Sequence, residues 1–133
     1  MHCWSDSESV RINGMILGVN HVQVNVPAAD LERAREFYVG FMGMREIPRP
    51  GSFTSKGIWL NAGMFEIHIG LEDGVDRSKT RAHVAYQVSD IRAWRAKVSE
   101  AGFATKDQPL IPGYDRFQFR DPFGNMIEIM QKL

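Results

Sequence analysis

Two stretches of the chain, HVQVNV at 21–26 and HVAYQV at 83–88, alternate with the period of a β-strand, and each opens on a histidine. Val22, Val24 and Val26 share one face of the first, and Val84, Tyr86 and Val88 share the matching face of the second. Each run leads into a segment of longer period. Leu31, Ala34, Tyr38 and Phe41 recur at the same i, i+3, i+7, i+10 spacing as Ile91, Trp94, Val98 and Ala101. That spacing puts one apolar stripe on a helix, and it predicts helices near 30–42 and 90–101 with the stripe, Trp94 included, in the core. Asp30 and Asp90 stand where a carboxylate caps the first turn, and Gly43 and Gly102 stand where a left-handed residue ends the last.

Three shorter extended runs follow each helix. They are MREIPR, GIWLN and MFEIHIG in the first half, and FATKD, RFQFRD and NMIEIMQ in the second. The chain is therefore written twice, as βαβββ modules over about 18–72 and 80–131. The expected fold class is α+β, a mixed sheet built from the two βαβββ modules with the helices packed on its apolar face. GLEDGVDRSKTR, at 70–81, reads as a solvated linker, and LIPGYD as a loop of the second module.

Composition narrows this. The 133 residues make one domain, spanning 15–133 behind a polar extension at 1–14, and Met15 is an alternative start. Sixteen basic residues balance sixteen acidic ones, and no basic stripe or nucleotide-binding glycine motif occurs, so no nucleic-acid partner and no nucleotide cofactor is expected. No run is long enough to cross a membrane, and the start lacks the layout of a secretion signal. The single Cys3 excludes an intrachain disulfide and makes the cytoplasm the default location.

The polar face of the sheet carries the chemistry. His21 and His83 lie there by parity, and so do Glu66, His68 and Glu128 on the last strand of each module. Glu66 follows His21 by 45 residues and Glu128 follows His83 by 45, while three of the four histidines share this face. Imidazole and carboxylate in that combination suit a divalent metal, and they bind it less tightly as pH drops through the histidine range. Arg116 and Tyr114, in PGYDRFQF, are candidate substrate contacts, because arginine pairs with carboxylate or phosphate and a loop tyrosine can close over a ligand. Trp59 is a candidate for lining the cup.

The stretches NHVQVNVPAADLERAREFYVGFMGMRE, FEIHIG, AHVAYQVSDIRAWRAKVSEAG and above all RDPFGNMIEI resemble the vicinal oxygen chelate superfamily, the glyoxalase, bleomycin-resistance and extradiol dioxygenase group. The resemblance implies two βαβββ modules paired into a cup that holds one divalent metal (Zn, Ni, Mn or Fe(II)), often across a homodimer. It implies His21, His83 and Glu128 as ligands, with the fourth slot open between Glu66, which the 45-residue repeat puts ahead, and His68. Either Glu66 or Glu128 then serves as the base that moves a proton on a small molecule with vicinal oxygens. Isomerase or lyase chemistry, ring-cleaving dioxygenation and thiol addition to an epoxide all fit such a cup. The rival class is a metal-free module that sequesters a drug in an apolar cleft.

Overall fold

The computed structural model describes residues 14–133. Cys3 and, apart from Gly14, the extension at 1–14 lie outside the described residues. Strand β1 (His21–Val26) is followed by a 3-10 turn at Ala28–Asp30, helix α1 (Leu31–Arg35), β2 (Arg45–Ile47), β3 (Gly57–Asn61) and β4 (Glu66–Leu71). The second half repeats the order with β5 (His83–Gln87), α2 (Ile91–Glu100), β6 (Lys106–Asp107), β7 (Tyr114–Arg120) and β8 (Met126–Lys132). Each half forms a four-stranded mixed sheet, ordered β1-β4-β3-β2 and β5-β8-β7-β6, in which the first and last strands run parallel. This is the α+β architecture of two βαβββ modules that the repeat predicts.

The apolar parity of the strands builds the core. Ile58, Leu60, Ile67 and Ile69 from the first sheet, and Phe117, Phe119, Ile127 and Ile129 from the second, are all buried. Ala34, Phe37 and Tyr38 close the core from the first helix, and Ile91 and Val98 from the second. Burial of one such large side chain contributes roughly 1.5–3 kcal/mol, so these faces fix which side of each sheet is left for function. Trp94 packs on the core only partly buried.

The first helix departs from its sequence pattern. Beyond Arg35 it widens to π-helical hydrogen bonding over Glu36–Phe41, with the Met42 N–H donating to the Phe37 carbonyl at 2.8 Å. The wider turn brings Phe37, absent from the predicted stripe, into the core beside Tyr38. Asp90 caps α2 as expected, accepting from the Ala93 N–H at 3.1 Å. Asp30 makes no cap, its carboxylate accepting instead from the Arg33 guanidinium. Gly43 and Gly102 both stop their helices at positive φ, 82° and 89°.

Two loop readings are corrected. The segment at 70–81 is not simply solvated, since Arg77 is buried and donates to the carbonyls of Glu72 and Val75. Tyr114 lies on β7, an interior strand of its sheet, and not in the LIPGYD loop, while Arg116 lies on the same strand as RFQFRD predicts.

The turn between β7 and β8 locks the modules together. Asp121 is buried, and its carboxylate accepts from the Tyr38 hydroxyl at 2.6 Å, from the N–H groups of Phe123 and Asn125 at 2.9 and 2.8 Å, and from the Asn125 amide at 3.0 Å. The Asn125 amide also donates to the Asn25 carbonyl at 3.0 Å on β1. Burial, together with the Asp121 charge, pushes the Tyr38 phenol well above its ordinary pKa. RDPFGN is thus a joint between the modules. Among the described residues no helix is long and apolar enough to cross a membrane.

Candidate functional site

Strand pairing decides which residues of the two modules correspond. In the first sheet His21 pairs with Glu66 and Gln23 with His68; in the second His83 pairs with Met126 and Ala85 with Glu128. The antiparallel neighbours agree, because Trp59 faces His68 where Gln118 faces Glu128. With His21 matched to His83, the position equivalent to Glu128 is His68, and Glu66 corresponds to Met126. The equal 45-residue separations do not mark structural equivalents. The spacings differ because the segments between the strands differ in length, so counting along the chain slips the register by one face-repeat of two residues.

On the first sheet the aromatic rings form a stack. The His68 imidazole lies between His21, at a centroid distance of 4.0 Å and 10° between planes, and Trp59, at 4.1 Å and 5°. Phe53 meets the outer side of Trp59 edge-on at 5.5 Å. The His68 Nε2 is 2.9 Å from Glu66 Oε1, and the His21 Nδ1 bonds the Asn20 Oδ1 at 2.8 Å. With the Asn20 oxygen as acceptor, Nδ1 of His21 carries the proton and Nε2 keeps a free lone pair. His21, Trp59, Glu66 and His68 line one concavity of about 580 Å³.

On the second sheet the half-site is an ion-paired cluster. Glu128 is only 4% exposed, and its Oε1 receives His83 Nε2 at 3.1 Å, the Gln118 amide at 3.0 Å and Arg116 Nη1 at 3.3 Å. The same Arg116 nitrogen lies 3.3 Å from Oε2, and its Nη2 donates to the Pro109 carbonyl at 2.8 Å. The His83 Nδ1 bonds the Arg81 carbonyl at 2.9 Å, so that nitrogen is the donor. Its Nε2 then points at a carboxylate, where a proton or a metal cation bridges the two. His83 and Gln118 line a second concavity of about 640 Å³.

Of the predicted site residues, the structure brings together His21, His68, Glu66 and Trp59 in one group, and His83, Glu128 and Arg116 in another. Tyr114 touches the second group only through Arg116, with which it lines a small cavity of about 190 Å³ beside Pro109 and Leu110. Asn20, Gln118 and the Arg81 carbonyl escaped the sequence reading, although Asn20 stands directly before its histidine. Outer partners of this kind fix the ring orientation and tautomer of a ligand histidine. The donor chemistry of both groups suits a divalent metal, yet among the described residues no three His, Cys, Asp or Glu side chains converge tightly enough to hold one. One chain carries two separate groups of candidate donors.

The model for the Glyoxalase/Bleomycin resistance protein/Dioxygenase superfamily matches residues 18–129. A crystal structure from Bacillus anthracis, described as a glyoxalase family protein, is 38% identical, covers 92% of this chain and 100% of its own, and superposes with a TM-score of 0.83. The fosfomycin resistance protein FosX from Listeria monocytogenes, crystallised with Mn(II) and sulfate, shares 21% identity over 90% of this chain and 93% of that one, at a TM-score of 0.74. The antibiotic-binding protein TnmS3 from a Streptomyces species shares 21% over 89% and 98%, at 0.68. These last two likenesses concern the fold alone. No curated protein is a significant match. With this family model over most of its length and the register of both modules in place, the chain belongs to the glyoxalase/bleomycin resistance protein/dioxygenase superfamily.

Proposed function

We propose that the protein is a divalent-metal-dependent enzyme acting on a small molecule with vicinal oxygens, and that its metal shell is completed between two protomers. The observation that carries this reading is the pair of half-shells, His21 with His68 and His83 with Glu128, each set on a concave sheet face and oriented by a fixed Nδ1 partner. Each half is too small to hold a cation by itself, and juxtaposed halves from two copies give three imidazoles and a carboxylate. Met15, Ile16, Leu17 and Val19, which lead directly into β1, are exposed together with Met64, and this apolar surface suits burial against a second copy. The chain is accordingly read as a homodimer of the cytoplasm.

When bound, the metal supplies a Lewis acid for the developing negative charge of an enediolate or alkoxide. The residues divide the remaining work. Glu128, buried and held by Gln118 and Arg116, is a ligand with little freedom. Glu66 has one partner, His68, and borders the open cavity, which makes it the group that takes a proton from the substrate. Trp59 holds the His68 ring by stacking and is a positioning residue. Isomerase or lyase chemistry follows most directly from a carboxylate base beside the shell. Fe(II) and ring-cleaving dioxygenation remain compatible with the same donors.

One observation favours a second reading. Arg116 already neutralises Glu128, as a metal-free, drug-binding relative of the fold would require. Elemental analysis of protein reconstituted with Zn, Ni, Mn or Fe(II), together with sedimentation, separates the two. About one metal per half-site pair in a dimer supports the enzyme, and a metal-free protein that still binds small molecules supports the binding module.

A further inference from the structure

We propose that the ligand of this site is an anion, and that its compact oxyanion, of carboxylate or phosphoryl type, is held by the Arg49 guanidinium in the concavity of the first module. The chain has no net charge, but its cations gather here. Arg49 and Lys56 line the first concavity against the single acid Glu66, and Arg81, Lys106 and Arg120 line the second with no acid at all. Among the described residues none of these five is in an ion pair. Arg120 spends its nitrogens on the carbonyls of Arg77, Thr80 and Gly124, which leaves its charge unneutralised. Such a concentration of one sign in a cleft draws in and retains the opposite sign.

Arg49 is the member of this set that is built to make a contact. It is partly buried on the segment between β2 and β3, where Nη1 donates to the Ser55 carbonyl at 2.5 Å and Nη2 to the Ser55 hydroxyl at 3.1 Å. The guanidinium lies over the Phe53 ring at 4.7 Å, and its Nε is buried with no partner. Lys56, Arg81 and Lys106, by contrast, are exposed. A fixed planar fork with an unmet donor and no countercharge is suited to an oxyanion.

The sheet beside it carries two glycines. Gly57 and Gly70 pair two rungs from Trp59 and His68, with Ile58 and Ile69 between them. A Cβ at Gly57 would meet the Ile69 carbonyl at 2.5 Å and stand 3.6 Å from Arg49 Nη2, and a Cβ at Gly70 would meet the Gln23 and Asn25 side chains at 2.5 Å. Glycine at 57 lets the Arg49 guanidinium lie close to the strand, and glycine at 70 accommodates the Gln23 and Asn25 side chains beside the His21 and His68 pair.

The inference deepens the metalloenzyme reading and rests on it for the identity of the ligand as a substrate, so it is tested on metal-free protein. Inorganic phosphate is titrated at constant ionic strength into the chelator-treated full chain, and the Arg49 Nε–H and Trp59 indole N–H resonances are followed. Saturable shifts of both are expected, and Arg49→Gln should raise the dissociation constant about tenfold or more, a loss of about 1.4 kcal/mol. Arg49→Lys, which keeps the charge but loses the fork, should raise it severalfold, and Lys132→Ala, an exposed cation outside both concavities, should leave it unchanged. Non-saturable shifts, an unchanged midpoint in Arg49→Gln, or loss of binding only in Lys132→Ala would overturn the assignment. If Arg49→Gln does not fold, an unchanged midpoint in Arg49→Lys does the same. Protein that binds phosphate through Arg49 but never takes up metal keeps this subsite and loses the enzyme reading, whereas protein that takes up metal and ignores phosphate does the reverse.

Discussion

The imidazole of His68 lies flat on the indole of Trp59, with ring centroids 4.1 Å apart and planes 5° from parallel. This contact sets the plane in which His68 can offer a lone pair. Trp59→Ala should therefore weaken divalent-metal affinity by about 10–100-fold, the range found for residues that orient a ligand from outside. Trp59→Phe should recover most of it. Competition with a chromophoric chelator reads both, and equal affinity in all three proteins would remove Trp59 from the site.

The register correction yields a sharper test of the fourth slot. His68→Ala should abolish stoichiometric metal binding in the reconstituted dimer, while Glu66→Gln should retain the metal and lose turnover by about 10²–10⁴-fold, as loss of a general base does. His83→Ala and Glu128→Ala should also lose the metal, with circular dichroism showing the fold intact. Metal loss in Glu66→Gln but not in His68→Ala would give the slot to Glu66, which the 45-residue repeat put ahead of His68.

Arg116 is bound to the same carboxylate that is proposed as a metal ligand. Its removal leaves the buried Glu128 with Gln118 and His83, so Arg116→Ala should cost about 1–3 kcal/mol in urea unfolding of metal-free protein. Saturating Zn or Mn should return a larger part of that loss in the variant than the same metal adds to wild type. No difference between the two metal responses would show that Arg116 and the metal do not share Glu128.

The joint at Asp121 has a pH signature. The folded-state pKa of Tyr38 is raised by burial and by Asp121, so its contribution to stability is complete below the ordinary tyrosine pKa and declines as pH rises beyond it. Tyr38→Phe should be less stable by about 1–3 kcal/mol at neutral pH, because Asp121 loses a charge-assisted donor. It should also show a shallower decline on the alkaline side. Tyr86, likewise raised by burial and Asp121, keeps that decline from vanishing. An alkaline limb parallel to wild type would assign the effect elsewhere.

On the acid side the pair to test is Arg95 with Asp115, joined through two contacts of 2.8 Å. Hydrogen bonding from Arg95 holds the Asp115 carboxyl below its ordinary pKa. Its contribution is therefore present above that ordinary value and is lost as pH falls through the lowered one. Asp115→Asn should flatten the acid limb of the stability profile slightly, because the pair is partly exposed.

Strand parity and helix period were enough to predict both modules, because in each the buried face is written in β-branched and aromatic residues at fixed spacing. They also placed His21, His83, Glu66, His68 and Glu128 on one kind of face. What they could not reveal is pairing between strands, which depends on loop lengths and turn geometry and which exchanged the places of Glu66 and His68 relative to Glu128. Tyr114 was read as a loop residue because the glycine and proline before it resemble a turn, whereas the strand of Arg116 already begins there. The grouping of Arg49 with Trp59 and His68 joins two strands and the segment that precedes them, and no periodicity records it.

The π-helical stretch at Glu36–Phe41 makes the first module longer than its copy by one position. Asp30 to Gly43 spans 13 steps and Asp90 to Gly102 spans 12, so the wide turn absorbs the surplus residue. Deleting one residue there would regularise the helix and yet rotate everything before or after the cut by roughly 100°. Tyr38 and Met42 could not then both keep their places, and the hydroxyl that reaches Asp121 would be the first casualty of a straighter helix. An ungapped alignment of the two halves makes that same error on paper, laying each residue beyond the wide turn beside the wrong counterpart.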